Sequence, residues 1–194
     1  MKIPFRYYAV LLLALLTIAS CKKKKAEVDT SDIKGNYFSV RQFALDEWNT
    51  FAGEPFLITK TVRINNGKVD SSLTNSDTIS WAPIFHTFLE TDISDRKFLG
   101  KYTFTQFDDK EDQTHNFFYQ ANDEDLYTQK LLITIDEFNS KVRGIYIETY
   151  KKTIWSNVTR KLYYAPMKTL QMQIDEKPLW GPKKFEVTEY TFMR

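Results

Sequence analysis

Two histidines and one cysteine are the side chains of this 194-residue chain best suited to bind a soft metal or attack an electrophile. His86 and Glu90 stand four residues apart, so on a helix their side chains can meet. They fall on the flank away from Trp81, Phe85 and Phe88, and a zinc site wants a third ligand and a dry pocket. An exposed pair is the expectation. His115 follows a polar loop that holds Asp108, Asp109, Glu111 and Asp112, the composition of a solvated turn. A serine triad needs a histidine in a cleft beside a buried acid, and neither histidine has that setting. The runs Asp108-Asp109-Lys110-Glu111-Asp112 and Asn122-Asp123-Glu124-Asp125 offer oxygen ligands but lack the spacing and glycine of a calcium loop. There is no glycine-rich phosphate loop, and no two carboxylates single themselves out for glycoside chemistry. The expectation is no enzyme, no metal and no cofactor.

The cysteine is more telling. Lys2 and Arg6 precede an apolar run from Ala9 to Ile18, and Ala19-Ser20 leads into Cys21 and Lys22 to Lys25. That is the layout of a secretory signal, too short to span a bilayer. An ordinary secreted chain with a chance cysteine shares it. The sole cysteine placed after Ile18-Ala19-Ser20 resembles the lipobox of bacterial lipoproteins. The resemblance implies that the Cys21 thiol is acylated and becomes the mature N-terminus. Residues 1–20 are then the signal peptide, 21–35 the lipidated cysteine and a polar tether, and 36–194 a single domain. Acylation of Cys21 leaves no thiol for a disulfide or a metal.

Lys22 rather than an acid after the cysteine resembles lipoproteins sent on to the outer membrane, which implies a lipid anchor there and a domain facing the periplasm, surface exposure being the alternative. The tether lysines read as a solvated spacer, or as attraction to anionic headgroups worth about 1 kcal/mol each. The acyl chains anchor already, at about 0.8 kcal/mol per buried methylene.

The whole chain carries 27 basic and 25 acidic side chains. The leader holds Lys2 and Arg6 and no acid, and residues 22–30 hold four lysines against Glu27 and Asp29, which leaves 21 basic and 23 acidic from Ser31 onward. No basic footprint for nucleic acid exists in the domain.

The elements that must position any site begin with a well-marked helix. Ser39 and Gln42 form a capping box, and Phe38 and Phe43 are spaced for a hydrophobic staple. Val40, Phe43, Ala44, Trp48 and Phe51 repeat at helical spacing until Gly53 and Pro55 end the run. Residues 56–64 and 69–73 read as strands joined at Asn65-Asn66-Gly67-Lys68. A second helix, capped by Ser80 and carrying Pro83 in its first turn, presents Trp81, Ile84, Phe85, Phe88 and Leu89. From residue 99 the pattern alternates, with strands expected at 101–107, 116–121, 130–136, 142–151, 158–164, 168–175 and 185–192.

Short connections make neighbouring strands antiparallel. The expectation is an α+β fold: two amphipathic helices packed on a curved antiparallel β-meander, half-barrel-like, with Val40, Phe43, Trp48, Phe51, Ile84, Phe85 and Phe88 buried against the sheet. This order of lipobox, tether, Ser-capped helix, Thr-Val-x-Ile-Asn-x-Gly-Lys hairpin, Trp-led helix and meander resembles a group of Gram-negative envelope lipoproteins without an assigned activity. The architecture is also similar, in topology alone, to carriers and receptors that move lipoproteins to the outer membrane and shelter acyl chains.

Eleven Tyr, 15 Phe and 4 Trp exceed what two helices and one sheet face need. Tyr146 and Tyr150 oppose Ile145 and Ile147 on their strand, Tyr163 opposes Leu162 and Tyr164, and Trp155 and Trp180 fall in loops. Two readings stay open: a two-sided core with tyrosine tips reaching water, or a surface for an apolar ligand or a protein partner. Asp77-Thr78-Ile79 matches a short triplet that marks O-glycosylation in some Gram-negative bacteria, making Thr78 a candidate for modification.

The functional expectation is a non-enzymatic, outer-membrane-tethered lipoprotein that binds an envelope protein or an apolar ligand. A scaffold subunit without a ligand is the alternative, and a hydrolase ranks third. In a bacterial host the mature chain should begin at Cys21 and partition with membranes. Cys21→Ala should abolish acyl labelling, and an intact mass showing a free thiol at Cys21 would contradict the anchor.

Overall fold

A computed structural model describes residues 37–193 apart from residues 52, 66 and 68. Cys21, the leader and the tether lie outside the described residues. Helix α1 spans Val40–Phe51 and α2 spans Trp81–Leu89. The strands are β1 (Leu57–Ile64), β2 (Val69–Asn75), β3 (Tyr102–Asp109), β4 (Thr114–Ala121), β5 (Thr128–Asp136), β6 (Val142–Lys152), β7 (Ser156–Ala165), β8 (Thr169–Pro178) and β9 (Lys184–Met193). All nine form one antiparallel sheet in the order β2-β1-β9-β8-β7-β6-β5-β4-β3. The last seven strands follow one another as the alternation predicts. The first hairpin attaches to the far end of that run, with Ile58 opposite Phe192 and Lys60 opposite Tyr190. The sheet is open, with β2 and β3 as its edges. Among the described residues, two helices against nine strands make the fold largely β, so α+β describes it only loosely.

One face of the sheet carries the core. Tyr119, Leu131, Ile147, Leu162 and Met172 stand opposite one another from β4 to β8, and Ile133, Ile145, Tyr164, Leu170 and Tyr190 form a second such row. With Ile58, Tyr102, Val40, Ile84, Phe88 and Ile93 they make a single cluster. Leu131, Ile133 and Ile147 are fully buried.

The helix signals hold in part. The Gln42 amide donates to Ser39 Oγ at 3.1 Å, and the Phe38 and Phe43 rings lie 6.1 Å apart, as a staple requires. The Gln42 side chain does not close the box but donates to Asp46 at 2.8 Å. Its place at the helix N-terminus is taken from a distance by Asp92, just beyond α2, which accepts from Ser39 Oγ at 2.8 Å and Arg41 N at 2.6 Å. Its other oxygen accepts from Ser94 N at 2.8 Å. A carboxylate there also meets the positive end of the helix dipole. Ser80 occupies the first position before α2, but its side chain makes no capping bond.

Val40, Ile84 and Phe88 are buried as expected. Trp48, expected in the core, is 42% exposed, and Phe43, Phe51 and Phe85 are only half-buried. The reason is geometric: these rings face a space that the helices do not close.

Asp92 ties the two helices together, and its charge state follows. Partial burial pushes its carboxyl up, but hydrogen bonds from Ser94, Arg41 and Ser39 outweigh it and hold the group below the usual carboxylate range. Because the folded value is the lower one, the contribution is present above about pH 4 and is lost as pH falls through the folded value. Asp92→Ala should cost about 1 kcal/mol near neutral pH, as a lost helix cap does for a half-exposed group. Urea titrations should show the gap to the parent chain shrinking as the pH falls below the usual carboxylate range and through the lower folded value.

Candidate functional site

Between the two helices and the sheet lies an apolar cavity of about 550 Å³, within the roughly 300–1,000 Å³ of small-molecule sites. Its walls come from four places. α1 supplies Phe43, Ala44, Trp48 and Phe51, and α2 supplies Trp81, Ile84, Phe85 and Phe88. The sheet floor is Ile145, Tyr164, Leu170 and Phe192, with Met167 from the turn after β7. The approach to β1 adds Pro55 and Phe56.

Ring contacts set its shape. Trp48 and Phe85 meet across the two helices at 5.7 Å. Trp81 stacks on Phe192 at 6.2 Å with planes 12° apart, and Phe51 meets Phe56 edge-on at 6.3 Å. The Trp81 ring is pinned because its Nε1 donates to Ser76 O at 2.7 Å. Ser76 is itself buried, with Oγ accepting from Phe56 N at 2.9 Å and donating to Glu54 O at 3.0 Å. Ser76, through its hydroxyl to the approach to β1 and its carbonyl to Trp81, therefore binds the end of β2, the start of β1 and the start of α2 into one rim.

The charged groups that line the site have one sign. Glu47, Glu54 and Asp77 line it together with Ser76 and Ser80, and no Lys or Arg does among the described residues. Tyr164 OH donates to Glu47 Oε2 at 2.7 Å. Burial, and then this bond to a carboxylate, push the Tyr164 phenol well above its ordinary value, so it remains a neutral donor. The arrangement can hold an apolar body and leave a hydroxyl, amide or amine group among carboxylates at the rim. It disfavours an anionic headgroup.

The residues expected to form a ligand surface fall in three places rather than in one pocket: Tyr146 with Tyr163, Tyr150 by itself, and Trp155 with Trp180. Tyr146 and Tyr163 are opposite each other on β6 and β7, on the face away from the helices. The Tyr163 ring covers Gly144, whose missing Cβ would stand 3.3 Å from it, so the tyrosine fills the gap left by the glycine. Tyr146 OH donates to Glu148 at 3.2 Å, and burial followed by the Glu148 charge pushes its phenol up to about 12. Tyr150 lines a separate polar hollow with Glu90, Glu124 and Arg160. Trp155 and Trp180 sit on adjacent hairpin tips with ring centroids 6.3 Å apart. Thr78, in a short 3-10 turn, is exposed and donates to Asn75 O at 2.7 Å.

The other polar candidates have local partners. His115 Nδ1 lies 2.7 Å from Asp108 Oδ1, and His86 lies 3.5 Å from Glu90 with both side chains exposed. Asp109 accepts from the amides of Glu111 and Asp112, which shapes the β3–β4 turn. No group of three metal-binding side chains occurs among the described residues, and none of the described helices is long and apolar enough to cross a membrane.

No protein-family model, curated protein or solved structure matches this chain.

The helix stripes contain two kinds of aromatic residue, and stability should separate them. Phe88, which is buried, should cost about 3–5 kcal/mol when changed to alanine, as core aromatic truncations do. Trp48→Ala should cost less than about 1 kcal/mol. Equal losses in denaturant titration would show the cavity to be a filled core.

Proposed function

We propose that this chain is a non-enzymatic lipoprotein of the cell envelope, tethered to the outer membrane through acylated Cys21, whose domain holds an apolar ligand between its helices and its sheet. The observation that carries the reading is the aromatic-walled cavity of about 550 Å³. These rings converge on a space between helices and sheet rather than on a flat face, which favours a small apolar ligand over a protein partner.

In this reading the open sheet curls around the helices as a half-barrel. α1 begins where the Phe38 amide meets Tyr119 OH of β4, at 3.4 Å, and ends where Phe51 meets Phe56, just before β1. Those strands are six places apart in the sheet, about 29 Å if it were flat. The helix covers only about 20 Å between those residues. A curled, twisted sheet brings the two ends within reach.

The ligand class follows from the lining. An elongated hydrocarbon fits the space, and the carboxylates of Glu47, Glu54 and Asp77 favour a neutral or amine-bearing head over a carboxylate or phosphate. The neutral fluorescent probe phenyl-naphthylamine should bind at micromolar concentration. A long-chain alcohol should displace it at least about ten-fold better than the fatty acid of equal length, a difference of about 1.4 kcal/mol. Glu54→Gln/Asp77→Asn should narrow that difference. Ala82→Trp, at an exposed position on the cavity mouth, should abolish probe binding while circular dichroism stays unchanged. Unaltered binding in that variant would place the probe elsewhere and overturn the reading.

A further inference from the structure

The strand directions sort the loops into two ends. The β1–β2, β4–β5, β6–β7 and β8–β9 connections lie at one end, and the β3–β4, β5–β6 and β7–β8 turns lie at the other. The helix–sheet cavity belongs to the second end, because Phe56, Ser76, Met167 and Phe192 line it. The first end carries something different. Ile154 and Trp155, on the β6–β7 hairpin, are 78% and 63% exposed, and Leu179 and Trp180, on the β8–β9 hairpin, are 60% and 76% exposed.

These side chains are held out rather than left loose. Leu179 N donates to Trp155 O at 2.7 Å, tying the two tips together, and the two indoles are in contact. Thr153 Oγ1 accepts from Trp155 N at 3.2 Å and Ser156 N at 2.9 Å, which fixes the first tip. An aliphatic residue followed by tryptophan, repeated on two bonded hairpins, places four apolar groups side by side in water. Around them stand Lys177, Lys183 and Lys184, all exposed, with Glu176 beside Lys177 and Asp175 and Glu186 further along the two strands. Lys151 and Lys152 flank the other tip but share their hollow with Glu90, Glu124 and Asp125.

We propose that this end is a lipid-surface docking site, with Trp155 and Trp180 seated at headgroup depth of an anionic bilayer and Lys177, Lys183 and Lys184 on its phosphates. Three observations select a membrane over a protein partner. Tryptophan is the side chain of the membrane interface, with an apolar body and a polar tip. The neighbouring cations match anionic headgroups, each adding to the attraction. The described chain also starts at this end: Tyr37 OH accepts from Gly100 N at 3.0 Å and donates to Tyr102 O at 3.4 Å, at the beginning of β3. A domain docked on these tips would have residue 37 at the end that faces the same surface. The docking rests on exposed tips and not on the cavity, which opens at the other end.

The test uses the full chain with vesicles of phosphatidylcholine and phosphatidylglycerol at about 3:1, their acyl chains brominated near the headgroup to quench tryptophan. Two of the four tryptophans sit on the tips, so about half of the emission should be quenched. Trp155→Phe/Trp180→Phe should remove the quenchable part, and Lys177→Gln/Lys183→Gln/Lys184→Gln should reduce quenching several-fold, as should pure phosphatidylcholine or about 0.5 M salt. Quenching that persists in Cys21→Ala would support docking without the anchor. Chain that floats with the vesicles unquenched would overturn the proposal. So would quenching that survives Trp155→Phe/Trp180→Phe, which would trace to Trp48 and Trp81 and put lipid in the helix–sheet cavity instead.

Discussion

Two short helices must cover one face of nine strands, and they are too small to do so. α1 has 12 residues and α2 has 9, which makes them about 18 and 14 Å long. A nine-stranded sheet is about 38 Å across when flat. The curl proposed above would reduce the mismatch without removing it. The space left over is walled by the aromatic residues that a fuller helical layer would have buried, which is why Trp48, Phe85 and Phe51 stand half in and half out. The cavity is thus a consequence of element lengths as much as of any particular lining residue.

What keeps the helices from collapsing into that space is a set of polar fixings at their ends. At the start of α1, Asp92 bridges Ser39 and Ser94. Beyond the end of α2, Thr128 Oγ1 donates to Thr91 O at 3.0 Å, and Tyr102 OH donates to Thr128 O at 2.9 Å. At the other end, Ser76 gathers β1, β2 and Trp81. Hydrogen bonds are directional and short, so they set the height of the helices above the sheet in a way that apolar contact alone does not. Tyr164 and Glu47 add one such strut inside the cavity. A site braced in this way needs little reorganisation on binding.

Much of the fold was legible from the chain because its signals are local. The Ser39 cap, the Phe38–Phe43 staple and the strict alternation after residue 99 each act over a few residues, and each appears in the structure. The pairing of β1 with β9 was not legible, since it joins residues more than a hundred positions apart. Asp92 was invisible as a cap for the same reason. The cavity was hidden by a real ambiguity: an aromatic stripe at helical spacing looks the same whether it is buried in a core or faces a void. Tyr146, Tyr150 and Tyr163 are an aromatic excess on the face away from the helices, but Gly144 accounts for Tyr163, and the three do not share a pocket. Trp155 and Trp180 were visible as loop aromatics. Their pairing across two hairpins depends on β7 lying beside β8, and no single window of sequence shows that.

The central claim is that the helix–sheet cavity is a ligand site. Native mass spectrometry of the chain extracted from its own membranes tests it directly. A filled site gives a non-covalent adduct of lipid-like mass, close to one per chain, released on gentle activation and absent from Ala82→Trp. Covalent acylation at Cys21 would survive that activation and so would not be mistaken for it. Chain that leaves the membrane with no adduct, or whose adduct is undiminished in Ala82→Trp, would contradict the account.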